Sequence, residues 1–353
     1  MKIGPIDLLS PFVVAPMAGM TDTAFRRLVK RQGGCGLVVS EMVSSEGLVR
    51  GIDRTLEYAE FTEEERPVSI QIFGGDPSRM AEAARIVEGI GADIVDVNMG
   101  CPVPKIAKHS AGCSLMREPA HAASVIEAMA RAVKIPVTVK MRAGWNDAER
   151  NAPTLAAMVE RAGAAAVAVH GRTAAQSYSG TADWRLVEEI ADRLSIPVFG
   201  SGDCVEPEQV VQRLRSGVSG VLVGRGVLRN PWILAQASDI AAGRPPRAIG
   251  RAERGRFLLD YIALLVDERV REPQGFRHTA PGAEESGRSA AGSSHERWVI
   301  NKIRALATYY TRGFEHGSQL RTAINRTTSL SELRDLVAVF FTTPQMAEVV
   351  SLP

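Results

Sequence analysis

The feature that most constrains this chain is a recurrence within its first 240 residues: short apolar runs separated by helix-patterned stretches. Eight runs can be marked, at 12–15, 37–40, 68–73, 94–97, 137–141, 166–170, 198–200 and 220–223. Between them, residues 77–90, 120–133, 152–161, 184–194 and 207–216 carry helical spacing. Strands that alternate with helices define parallel βαβ units. Runs without polar alternation are strands buried on both faces. Eight such units in about 230 residues predict an α/β fold of the closed (β/α)8 TIM-barrel type. An open doubly wound sheet is the weaker alternative, because no GxGxxG follows the first strand.

The ends of the runs carry the polar residues. In order they are Pro16-Met17, Glu41, Gln71, Asn98 to Cys101, Lys140 with Arg142, His170 with Arg172, Ser201-Gly202-Asp203, and Gly224-Arg225. A barrel brings these ends to one mouth, where the βα loops build the active site. Caps and turns explain a few of them singly. They do not explain Gln71, Lys140 and His170 together.

After residue 242 the pattern changes. Gly243-Arg244-Pro245-Pro246 reads as a linker between a barrel over 1–242 and a smaller helical bundle over 243–353. Helical spacing marks 254–270, 297–310 and 331–340, the last with Ser331 as its N-cap. Residues 272–295 are rich in Gly, Ser, Pro, Ala and Glu without periodicity, and read as a disordered insertion. Residues 241–353 hold 16 lysines and arginines against 12 carboxylates, and 15 of those cations are arginine, the side chain suited to phosphate. A solvated helical surface would explain the same arginines.

Composition excludes several classes. Hydrophobic residues at 45% and charged residues at 23% rule out a disordered chain. No apolar run reaches the length of a membrane span, and the first residues lack the apolar core of a signal peptide. Cys35, Cys101, Cys113 and Cys204 form no CxxC pair, which fits a reducing cytoplasm. No set of Cys and His has metal-ligand spacing. A monomer is the default expectation.

The loops suggest chemistry. Ser201-Gly202-Asp203 and Gly224-Arg225 follow the seventh and eighth strands, where barrels frequently bind phosphate through backbone N–H groups. Arg225 would add a charge-assisted bond. The phosphate could belong to a cofactor or to a sugar-phosphate substrate. Lys140 ends an apolar strand and reads as a fixed positive charge rather than a Schiff-base lysine. Such a charge is one of the levers a protein has on a flavin. Gln71 could address a planar ring or be a structural amide. Cys101 lies in a Gly/Pro-fixed loop, Asn98-Met99-Gly100-Cys101-Pro102, where a thiol, ordinarily protonated at neutral pH, could donate a proton. An inert buried cysteine is the alternative.

These residues resemble a family. Pro16 to Asp22, Gln71-Ile72-Phe73-Gly74, Asn98 to Pro102, Lys140-Met141-Arg142, Val169-His170-Gly171-Arg172-Thr173 and Gly224-Arg225 are similar to the tRNA-dihydrouridine synthases, most of all the bacterial B-type branch. The match runs from about residue 8 to 240 and is looser in the helical region. Residues 272–295 depart from it, as does Asn301-Lys302-Ile303-Arg304, where a more basic stretch is expected.

The resemblance implies an FMN-dependent reduction of a tRNA uridine to 5,6-dihydrouridine, driven by NADPH. By position, Pro16, Met17 and Ala18 would line the flavin through backbone contacts. Gln71 and Lys140 would address its ring, and His170 would stand beside it. Ser201, Gly202, Asp203, Gly224 and Arg225 would hold its phosphate end. Hydride would reach uracil C6 and Cys101 would protonate C5. Asn98, Arg142 and Arg172 would help orient the base, and Lys105, with Lys108 and His109, could close over it. Two rivals remain: an FMN barrel acting on a free pyrimidine, like dihydroorotate dehydrogenase, and an RNA-binding scaffold without turnover.

Overall fold

The computed structural model describes residues 1–103, 106, 110–267 and 288–342. These divide into two compact units, one ending at Arg247 and one beginning at Ala248. In the first, eight parallel strands form the ring: β1 (Phe12–Val14), β2 (Leu37–Val39), β3 (Val68–Phe73), β4 (Ile94–Met99), β5 (Val137–Arg142), β6 (Ala166–His170), β7 (Val198–Ser201) and β8 (Gly220–Val223). Each pairs with its neighbour in sequence, and β8 pairs back onto β1, so the sheet closes. This is the (β/α)8 barrel. The open sheet is excluded.

The crossover helices begin where their sequences place a cap. Asp22 accepts from the Phe25 N–H ahead of α1 (Thr23–Gln32), and Asp76 from Arg79 ahead of α2 (Pro77–Gly89), whose Pro77 suits the first turn. After α3 (Pro119–Ala132) and α4 (Ala152–Arg161), Asp183 caps α5 (Trp184–Arg193) through Leu186, and α6 is Pro207–Leu214. These bounds lie close to those expected from spacing. Helix α7 (Ile233–Ala241) ends the unit. Arg244 and Arg247 then fold back onto the Asp239 carboxylate at 2.8 and 3.3 Å, so the expected linker belongs to the barrel unit.

Alternate residues of each strand face the barrel interior. Its lower layers are apolar: Val13, Leu37, Ile94, Ala166, Phe199 and Leu222 pack in one cluster. Ile3 and Leu8, from a short N-terminal hairpin (Lys2–Ile3 with Ile6–Asp7), join that cluster and plug the bottom. Higher up, β3 to β6 turn polar. The register sets Gln71 beside Asp96, Asn98 beside Lys140, and Arg142 beside His170, which in turn stands beside Ser201.

The second unit holds α8 (Arg251–Asp267), α9 (Arg288–Thr311), α10 (Gly317–Arg326) and α11 (Leu330–Thr342). Its core includes Phe257, Tyr261, Ile303, Leu306, Leu333 and Phe341. Two expectations are corrected here. The cap of α11 is Ser329, whose Oγ accepts from the Glu332 N–H at 3.2 Å, and Ser331 is already inside the helix. The stretch 272–295 is helical from Arg288 onward, because Ala and Ser extend a helix already nucleated by the apolar face that follows. Its earlier part lies outside the described residues. Among the described residues, no helix is long and apolar enough to cross a membrane.

Candidate active site

A chain of buried amides crosses the upper barrel. Asn98, at the end of β4, uses its Oδ1 to accept the N–H groups of Gly100 (3.0 Å) and Cys101 (2.9 Å), folding the chain into the loop that presents Cys101. Its Nδ2 donates to Gln71 Oε1 at 2.7 Å, and Gln71 Nε2 donates to Asp96 at 2.7 Å. Thr138 Oγ1 donates to the other oxygen of Asp96 at 2.6 Å. From the far side, the Cys113 N–H donates to the Cys101 carbonyl at 3.0 Å. Gly112, at φ +61°, brings that backbone too close to Cys101 for a Cβ, which would lie 2.7 Å from the Cys101 oxygen. Cys101 itself is half-buried, whereas burial pushes the Cys113 thiol up to about 12.

The charges form a cationic wall. Burial, reinforced by Arg142, pushes Lys140 down to about 8, while Asp96, Cys113 and Cys101 pull in the other direction. Lys140 is therefore mainly charged at neutral pH, and among the described residues it forms no ion pair within 4 Å. Burial, with the charges of Lys140, Arg142, Arg172 and Arg225, drives His170 down to about 2. It is a neutral imidazole. Arg142 donates to the carbonyls of Gly100 (2.9 Å), Thr173 (3.0 Å) and Ser177 (3.0 Å), tying the β4, β5 and β6 loops together. Arg172 does the same within the β6 loop through the carbonyls of Ser179 and Gly180.

The β7 and β8 loops meet over Asp203. Asp203, in the left-handed region at φ +54°, receives Arg172 and the Ala182 N–H. Burial opposes its ionisation, but those partners outweigh it and hold the carboxyl below its usual value. Arg225 stands 3.9 Å from the same carboxylate, half-exposed, with its guanidinium 4.7 Å over the Tyr178 ring. Gly202, at φ +126°, passes so near His170 that a Cβ would fall 3.3 Å from Nε2. Gly224 is roomier: its nearest neighbours would be Met17 Sδ at 3.5 Å and Ala15 Cβ at 3.8 Å. The Pro16-Met17-Ala18 turn is thus adjacent to the β8 loop. Thr21 holds that turn through the Met17 N–H and carbonyl.

Gln71, Asn98, Cys101, Lys140, Arg142, His170 and Arg172 therefore converge on one mouth, with Ser201 to Asp203 and Gly224-Arg225 along its far side. Lys105, Lys108 and His109 lie outside the described residues. Asp96, Thr138 and Tyr178 were not singled out from sequence. For Asp96 a signal existed: a carboxylate two positions before Asn98 in an interior strand shares its face.

A barrel with this ring of polar groups around its upper mouth belongs to the (β/α)8 enzymes. Comparison narrows the class. The profile of the dihydrouridine synthase (Dus) family matches residues 13–342. A probable tRNA-dihydrouridine synthase of Rickettsia bellii (strain RML369-C) is 36% identical over 97% of this chain and 98% of its own. The tRNA-dihydrouridine synthase B of Xanthomonas campestris pv. campestris is 42% identical over 69% of this chain and 73% of its own. Among solved structures, a 2-naphthoyl-CoA reductase complex aligns with a TM-score of 0.52 at 13% identity, covering 69% of this chain and 52% of that one, a likeness of fold alone. The chain belongs to the dihydrouridine synthase family, and it is an oxidoreductase.

Proposed function

We propose that this enzyme reduces a uridine of tRNA to 5,6-dihydrouridine, with FMN as its bound cofactor and NADPH as reductant. The observation that carries the reading is the convergence at one mouth of an acid, Cys101, held by Asn98, and a half-buried cation, Lys140, on the next strand, with no ion pair among the described residues. Reducing the C5=C6 bond of a uracil needs a hydride donor and a separate acid, because hydride at C6 leaves negative charge shared between C5 and the C4 oxygen, and C5 must then be protonated.

The residues present fit a flavin mononucleotide. Arg225 and the backbone of Gly202, Asp203 and Gly224 would take the phosphate, with no Cβ at Gly224 to fill the space. The turn Pro16-Met17-Ala18 would border the ring, with Ser201 below it. Lys140 would supply positive charge to stabilise the negative charge of a reduced flavin, and Gln71 retains one donor and one acceptor position beyond its bonds to Asp96 and Asn98. His170, being neutral, adds no competing charge. When bound, the cofactor supplies the hydride for uracil C6.

The chain's own groups do the rest. Cys101 holds the proton destined for C5. Asn98 and Arg142 set the Cys101 loop from opposite sides, and with Arg172 and Lys105 they would frame the base. A base in folded RNA must be turned out to reach such a mouth, at a cost of a few kcal/mol. In the helical unit Arg297, Arg312, Arg326 and Arg334 are exposed and suited to phosphate. Two others are structural: Arg304 donates to the Thr327 carbonyl at 2.6 Å, and Arg251 stacks 4.2 Å over Phe340.

The test is anaerobic absorption spectroscopy. Flavin reduced by NADPH should be reoxidised quickly by tRNA lacking dihydrouridine and not by fully modified tRNA. Reoxidation by a free pyrimidine instead would replace this reading, as would a protein that takes up no FMN.

A further inference from the structure

We infer that Asp96 is a positioning residue, fixing the direction in which the buried amides of Gln71 and Asn98 donate and thereby holding the loop that carries Cys101. The inference rests on the proposed function only for the importance of Cys101. Its geometry stands without any cofactor.

The Gly100 and Cys101 N–H groups can only donate, so the Asn98 oxygen must face them. The Asn98 nitrogen then points at Gln71, whose oxygen must face it. That turns the Gln71 nitrogen down into the barrel, where it needs a buried acceptor. A carboxylate, which only accepts when ionised, meets the need, and Asp96 provides it 2.7 Å away. The chain is thus pinned by donors above and an acceptor below. Flipping either amide would set two donors face to face in a dry interior, where an unmet polar group is expensive.

Simple space-filling would explain a mid-strand residue here, but not this one. Asp96 is 5% exposed, directly above layers that are apolar but for the buried Ser69 hydroxyl. Burial raises its carboxyl against the hydrogen bonds of Gln71 and Thr138 and the charge of Lys140. A hydrophobic residue at such a position is often no less stabilising than a buried charge. What the carboxylate adds is direction.

Two substitutions separate direction from charge. Asp96→Ala removes the acceptor. Asp96→Asn removes the charge but can keep the order, with its oxygen to Gln71 Nε2 and its nitrogen to Thr138 Oγ1, which can also accept. The measurement is the rate at which iodoacetamide alkylates Cys101 in the full-length protein at fixed pH, read by peptide mass spectrometry, with neither flavin nor RNA present. The expected result is about a tenfold faster reaction in Asp96→Ala, as for loss of one buried hydrogen bond, and a near wild-type rate in Asp96→Asn. Gln71→Leu, which breaks the chain while leaving Asp96 in place, should reproduce the Asp96→Ala rate and serves if that variant does not fold. A wild-type rate in Asp96→Ala or in Gln71→Leu overturns the inference, and so does an Asp96→Asn rate equal to that of Asp96→Ala. Because dihydrouridine formation is not the readout, failure here is distinguishable from failure of the proposed reaction.

Discussion

One guanidinium nitrogen of Arg172 lies 2.7 and 2.9 Å from the two carboxylate oxygens of Asp203. Asp203 is therefore neutralised from the β6 loop by a residue that is 2% exposed. Arg225, at 3.9 Å from the same carboxylate, is the looser partner. In the proposed reading it is the cation that would turn toward the phosphate, and Asp203 would contribute through its backbone.

Replacing Arg225 by Ala should therefore weaken FMN binding by about tenfold to a hundredfold, the loss of a charge-assisted contact. Titration of flavin-free protein with FMN, followed by fluorescence quenching, measures it. Full occupancy at unchanged affinity would remove the phosphate site from the β8 loop.

Gly202→Ala should harm both fold and flavin binding. The position has φ +126°, and the new methyl would sit 2.5 Å from Ala182 Cβ. Strain of this kind costs about 1–3 kcal/mol. Thermal unfolding should show a clear drop in Tm, and an unchanged Tm would mean that the turn relaxes freely.

Cys101→Ala should slow dihydrouridine formation by about 10²–10⁴-fold, the usual contribution of a positioned acid. Mass spectrometry of tRNA digests follows the product. If the variant turned over at the wild-type rate, another group would be the proton source.

Acid stability should reflect His170. Its folded value of about 2 lies below the 6.5 of an ordinary histidine, so the unfolded chain binds a proton that the folded chain refuses. Stability from this residue is intact above pH 6.5 and is lost as pH falls below it, at about 1.4 kcal/mol per pH unit. His170→Asn removes that slope. Urea unfolding at pH 7.5 and 5 should show the variant losing about 2 kcal/mol less than the wild type. Equal losses would place a protonated imidazole in the native site.

The barrel was legible because parallel strands buried on both faces leave short, mainly apolar runs at regular intervals, and Val68–Phe73 and Gly220–Val223 stand where those runs lie. The mouth was legible because strand ends carry its polar groups. What escaped was long-range. Nothing local tells that Arg142 spends its guanidinium on carbonyls 31 and 35 residues away, at Thr173 and Ser177. Asp96 was hidden inside a run that reads as apolar, though period-two counting from Asn98 puts both on one face. In the helical unit, composition misled at 288–295, where Ala and Ser serve a helix as readily as a loop.

The plug formed by Ile3 and Leu8 has a kinetic consequence. A barrel stoppered at one end has a single doorway. In the proposed reaction the reductant and the nucleic acid must both use it, so neither can be served while the other occupies the threshold. Turnover would then alternate between two visitors, and each should act as a competitive inhibitor of the other at high concentration.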